Sequence, residues 1–234
     1  MPPLPHGVPL SSADLSAAWE PTKARLVQED RENDLRVRVH RACGALEQAE
    51  RLEAAGERGC EDAALVFRWV ALNALYGRWD EERGMPTKDR EALDRFTSEC
   101  ARSDQERLSA ALEPVIELAR DLVENTFLNE RFWRAGEWDS VRPEKGRVRK
   151  LLEAKREGRH GAALHQVLIV AYFLRCQIVH GGATLGSKVN RVTVVPAGEV
   201  LRLVVPQLTA LVIEHGLEME WGEICYPPVR APGS

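Results

Sequence analysis

Residues 167–191 read VLIVAYFLRCQIVHGGATLGSKVNR, and this stretch decides the fold. From Val167 to Val179 the only full charge is Arg175. The apolar run falls short of the ~20 residues that span a bilayer, so it predicts a helix buried inside a soluble all-α bundle. A guanidinium on such a helix stays charged and must find an acceptor, solvent or a ligand. Five residues on comes His180, whose side chain titrates near neutrality. Gly181 and Gly182 then supply a C-terminal stop.

Outward from this helix the pattern is helical throughout. Leu35, Val39, Ala42, Leu46, Ala49 and Leu52 recur at spacings of three and four, which predicts a helix over 31–55. Gly56 and Gly59 break it. A second helix is expected over 61–79, with Val66, Trp69, Val70, Asn73 and Tyr76 on one stripe. An amide at Asn73 then needs partners, either another helix or the Arg175/His180 site and its ligand. Residues 80–90 read as a polar loop and 91–102 as a short helix. Ser103 with Glu106 resembles a capping box that starts a helix to about residue 123. Residues 134–142 read as a loop. The connection 183–195 includes a β-branched run that suits extended backbone, and a last helix is expected over 197–214, kinked or interrupted at Pro206. The domain plan is a Pro-rich tail over 1–22, one helical domain over 23–229 and a C-terminal tail over 230–234. The expected architecture is a helical bundle joined by one or two long loops.

Composition narrows the function. The 234 residues fit one domain and are 44% hydrophobic, enough for a real core. Net charge is −4, so no global basic field attracts nucleic acid. Residues 142–160, RPEKGRVRKLLEAKREGRH, carry +5 and leave the rest at −9. That strip is either a solvated helix face with internal ion pairs or a phosphate-contacting track. The five cysteines, at positions 43, 60, 100, 176 and 225, are widely spaced and form no CxxC pair. They read as reduced thiols of a cytoplasmic protein. No metal set, cofactor, DNA readout or membrane association is expected. His40 reads as a solvated histidine.

Arg-x-x-x-x-His at the end of a hydrophobic helix, here Arg175 and His180, resembles the motif of the HEPN superfamily. The longer string RCQIVHGGATLGSKVNR, with ALVFRWVALNALYG at 64–77 and WGEICYPPV at 221–229, is similar to a widespread bacterial branch of that superfamily. The resemblance runs from about residue 35 to 229. Many members carry a polar residue, often Asn, directly after the Arg, where this chain has Cys176. The resemblance implies a helical fold, a homodimer with a composite Arg/His groove, and metal-independent cleavage of RNA in defence or toxin–antitoxin systems.

The residues suit that chemistry. RNA breaks when a 2′-hydroxyl attacks the adjacent phosphate. Histidine suits the role of base or acid near neutral pH, and the planar fork of arginine bonds two phosphate oxygens. Lys188, Asn190 and Arg191 follow the motif and are candidates, with Asn73, for substrate binding. Spacing poses a problem, since positions i and i+5 lie about 140° apart on an ideal helix. An unwound last turn or a two-fold dimer resolves it. The plainer alternative pairs Arg175 with a buried carboxylate and leaves His180 as a helix cap. Two functions stay open. One is an endoribonuclease, with a possible antitoxin or defence partner. The other is a catalytically inactive dimer that binds RNA, a nucleotide or a partner protein.

Overall fold

The computed structural model describes residues 3–29, 34–128, 145–188 and 191–226. They form an all-α bundle, as the periodicity predicts, with a two-residue hairpin as its only sheet among the described residues.

The first departure lies at the N-terminus. Helix α1 spans Ser12–Gln28 and so begins inside the stretch over 1–22 that reads as an irregular tail. Its start is fixed by a reciprocal cap, in which Ser11 Oγ accepts from the Asp14 amide and Asp14 accepts from the Ser11 amide. The four prolines of the first nine residues precede this cap and do not oppose the helix, which runs on through Pro21. Leu15 and Trp19 are buried against the body. The segment before α1 is also held down, since Gln207 donates to the carbonyls of Pro5 and Val8.

Helices α2 (Asp34–Ala55) and α3 (Cys60–Tyr76) form an antiparallel hairpin that breaks where Gly56 and Gly59 predict. Leu35, Val39, Ala42, Leu46 and Ala49 line the buried face of α2. On α3 the stripe is displaced. Leu65, Trp69, Leu72 and Tyr76 are buried, whereas Val70 and Asn73 are exposed. The segment is apolar on nearly every face, so spacing alone does not fix which side turns inward. The expected polar loop contains a hairpin, with β1 (Trp79–Asp80) antiparallel to β2 (Met85–Pro86).

Helix α4 spans Asp89–Ser103, and α5 spans Gln105–Leu112. The cap between them is Asp104 rather than Ser103, and its carboxylate accepts from the Arg107 amide at 2.8 Å. A 3-10 turn over Glu113–Val115, containing Pro114, separates α5 from α6 (Ile116–Glu124). The expected loop over 134–142 lies outside the described residues.

Most of the basic strip lies in α7 (Lys145–Arg156), the apolar run 167–179 belongs to α8 (His160–Val179), and α9 spans Arg191–His215. Helix α9 starts earlier than expected. Val192–Val195 are helical, and the helix runs through both Pro196 and Pro206. Thr193 and Val194 are already buried, so tertiary packing overrides the strand preference of the β-branched run.

Helix α8 packs on α3, α4, α5, α6 and α7, and α9 packs on α1, α2, α3, α5 and α6. Both are long and apolar enough to cross a membrane by length and composition, which corrects the expectation from run length. Within α9 72% of that apolar window is covered by the protein, and within α8 44%. Gly161 allows α8 to lie close to α4, since a Cβ there would sit 2.6 Å from the Thr97 carbonyl oxygen.

Candidate functional site

Arg175 sits half-buried near the C-terminal end of α8. A helical side chain leans toward its own N-terminus. The guanidinium accordingly lines a groove of about 520 Å³, together with Asn73 of α3, Arg41 of α2, and Arg78, Asp89 and Tyr226. It forms no ion pair among the described residues, and its hydrogen-bond partner is the Cys176 sulfur at 3.8 Å. The alternative in which Arg175 pairs with a buried carboxylate is therefore not seen among the described residues, although Asp89 lines the same groove. Cys176 also receives the Tyr172 hydroxyl, whose pKa burial and this bond raise. The residue after the arginine thus helps hold it.

Fixed groups form the groove walls. Arg41 donates to the carbonyls of Cys225 and Tyr226, at 3.3 and 2.7 Å. The Tyr76 hydroxyl donates to Asp89 at 3.0 Å, and burial followed by the Asp89 charge pushes its pKa well up. Behind this wall Arg38 is fully buried. It donates to the Leu75 and Gly222 carbonyls and stacks on Trp221 with its guanidinium 5.4 Å from the ring centroid. Burial pulls its pKa down to about 10. Arg38 therefore fastens the WGEIC segment against the end of α3.

His180 caps α8 and is exposed. Its amide donates to the Cys176 carbonyl at 3.0 Å, and Gly181 then turns left-handed at φ +73°. The Gly stop works as the sequence predicts. His180 does not line the Arg175 groove. Asn73 does, but as an exposed amide on the groove wall rather than a buried one on a core stripe.

The residues after the motif divide. Lys188 is exposed, and Asn190 lies outside the described residues. Arg191 has a structural tie that spacing does not reveal. It pairs with Glu61 and with fully buried Asp62. Burial depresses its pKa, but the bonds to Asp62 and Glu61 outweigh that and raise it. Asp62 also accepts from the Gly186 amide at 3.1 Å, so one carboxylate pins the loop between α8 and α9.

The basic strip borders a second cleft of about 780 Å³. Arg147 and Lys150 of α7 line it with Arg90 of α4 and His165 of α8. Arg90 and Arg147 approach the ring of Phe173 at 4.9 and 5.5 Å. The strip has no aromatic residue of its own, and the fold supplies one from α8. Arg149 also pairs with Glu153 at 3.7 Å, so one face of α7 is the ion-paired surface that the charge pattern allows. All five cysteines are free thiols. Among the described residues, one set of metal-capable donors converges, at Asp104, Glu214 and His215, and none of these lines either cleft.

No family model, curated protein or solved structure matches the chain. The HEPN resemblance rests on Arg175, His180 and the strings around them.

Proposed function

We propose that the protein is a homodimeric, metal-independent endoribonuclease of a bacterial defence or toxin–antitoxin type, working in the cytoplasm. The observation that carries this reading is the state of Arg175. Its guanidinium faces a groove shared with Asn73, Arg41, Arg78 and Asp89, and it forms no ion pair with a carboxylate among the described residues. Buried guanidiniums elsewhere in the chain are tied down, as Arg68 is to Glu53 and Arg107 to Glu214. Arg175 is thus available for a phosphate.

His180 is exposed at the end of the same helix, where its imidazole can exchange protons with solvent and substrate. Within one chain it stands outside the groove. A two-fold axis near the end of α8 would bring the His180 of one protomer toward the Arg175 of the other. Four exposed aliphatic side chains, Val179, Leu185, Val192 and Val195, lie at this end of α8 and the start of α9 and suit such an interface. In the assembled groove Arg175 holds the phosphate. His180 takes the 2′-hydroxyl proton or gives one to the departing 5′-oxygen, leaving a 2′,3′-cyclic phosphate.

The test is cleavage of a mixed RNA pool in excess EDTA by wild type, Arg175→Ala and His180→Ala, each confirmed as folded and dimeric. Cyclic-phosphate ends from wild type, lost in both variants, support the reading. Equal cleavage by the variants overturns it. A second reading, an inactive dimer that binds RNA or a nucleotide, is favoured by the separation of His180 from the groove. That reading predicts binding that Arg175→Ala weakens and His180→Ala leaves unchanged, with no cleavage by any form.

A further inference from the structure

Three parts of the chain meet around the carboxylate of Asp104. His6 comes from the segment before α1, Asp104 caps α5, and Glu214 and His215 end α9. The Nε2 atoms of His6 and His215 each lie 3.8 Å from Asp104 Oδ2. One donor atom from each of Asp104, Glu214 and His215 lies within 4.8 Å of the other two. A four-coordinate ion with bonds of 2.0–2.1 Å holds its donors about 3.4 Å apart. Small side-chain rotations therefore close Asp104, Glu214 and His215 around one ion, and His6, 3.8 Å from Asp104 Oδ2, stands beside them as a fourth donor.

The chemistry of the donors selects the ion. Imidazole with carboxylate suits Zn2+ and its neighbours rather than Mg2+ or Ca2+. Arg107 supports the set from behind, its amide bonding Asp104 Oδ1 at 2.8 Å and its guanidinium bonding Glu214 Oε2 at 2.7 Å. The Leu4 amide holds Glu214 Oε1 at 2.8 Å. Such supports orient carboxylate ligands and strengthen metal sites. Two carboxylates against one guanidinium leave a single negative charge for the cation to meet. The C-terminal end of α9 adds a favourable helix dipole, which offsets the opposite dipole at the N-terminus of α5 that Asp104 caps. His6 and His215 are about one-third exposed, which leaves an ion a path in.

We propose that Asp104, Glu214 and His215, together with His6, bind one divalent transition-metal ion of the Zn2+ class and so staple the N-terminal segment to α5 and α9. The site stands apart from the Arg175 groove and does not depend on the ribonuclease reading.

The test is titration of the full chain with Co2+, read by visible absorption, and with Zn2+, read by calorimetry. The expected result is one ion per chain with the intense visible bands of four-coordinate cobalt and no thiolate charge-transfer band. His6→Ala and His215→Ala should each weaken binding about tenfold or more. Both side chains are partly exposed, so the variants should fold, and His40→Ala on the exposed face of α2 serves as the unchanged control. Absence of binding, binding that either substitution leaves unweakened, or a thiolate band overturns the proposal.

Discussion

Asp62→Ala should destabilise the protein by about 2 kcal/mol, because Asp62 is what holds Arg191 and the loop before it. Asp62 is fully buried on α3 and takes the Arg191 guanidinium and the Gly186 amide. Breaking a fully buried ion pair from one side costs about 3–5 kcal/mol. Here the Arg191 side chain is 26% exposed and keeps Glu61, itself 60% exposed, so its share falls to roughly 1 kcal/mol. The abandoned Gly186 amide adds about 1–2 kcal/mol. Some is returned, because Asp62 Oδ1 is buried without a hydrogen-bond partner and its desolvation is relieved. The assay is urea unfolding, with a lowered midpoint and an unchanged slope. Arg191→Ala should lose more, about 3 kcal/mol, because it leaves the fully buried Asp62 carboxylate without its cation, and the double variant should lose less than the sum, with a coupling of about 0.5 kcal/mol or more. An Asp62→Ala protein within about 0.5 kcal/mol of wild type would refute this account of the loop, since that is the range of neutral surface changes.

Gly161→Ala should destabilise by about 1–3 kcal/mol in the same unfolding assay, although alanine is the better helix former, because the new Cβ meets the Thr97 carbonyl and Ala101. Burial lowers the pKa of His165 against the raising effects of Asp94 and the Arg90 backbone. The unfolded chain then binds that proton more readily. The resulting stability is present above the unfolded value of about 6.5 and is lost as pH falls from there through the depressed folded value. Unfolding of His165→Gln measured across this window should show a shallower acid loss than wild type. Arg175→Ala should leave stability within about 0.5 kcal/mol while removing RNA cleavage or binding, a split that a purely structural arginine would not give. Thermal melting alongside the RNA assay reads both.

How much of this was legible in sequence depended on how one-sided each segment is. The stripe on α2 has a single apolar face, and five of the six residues the spacing names are buried there, Leu52 being partly exposed, with Arg38, Cys43 and Ala45 buried beside them. On α3, ALVFRWVALNALY offers more than one face, so Asn73 reads as core and lies on the groove wall instead. Local chemistry located the α8 stop at Gly181, yet Asp104 displaced Ser103 as a cap because the carboxylate one residue later reaches the Arg107 amide. The β-branched start of α9 is helical for a related reason, since burial rather than propensity decides it. Partners distant in sequence were the least legible. Nothing near Arg191 announces Asp62, nothing near Arg38 announces the Gly222 carbonyl, and His6 gives no sign of meeting His215 beside Asp104. For the candidate site, the motif named Arg175 and His180, but only the fold showed that the arginine turns back into a groove while the histidine faces outward.

That divergence makes the composite dimer the central claim, and mixing complementary variants tests it most directly. Arg175→Ala and His180→Ala chains, each inactive on RNA, would be unfolded together, refolded and assayed in EDTA. If each site takes its arginine from one protomer and its histidine from the other, half the dimers are mixed and each carries one intact site. Cleavage should then return to about a quarter of wild type. Both parents remaining inactive with no recovery in verified mixed dimers would contradict the account.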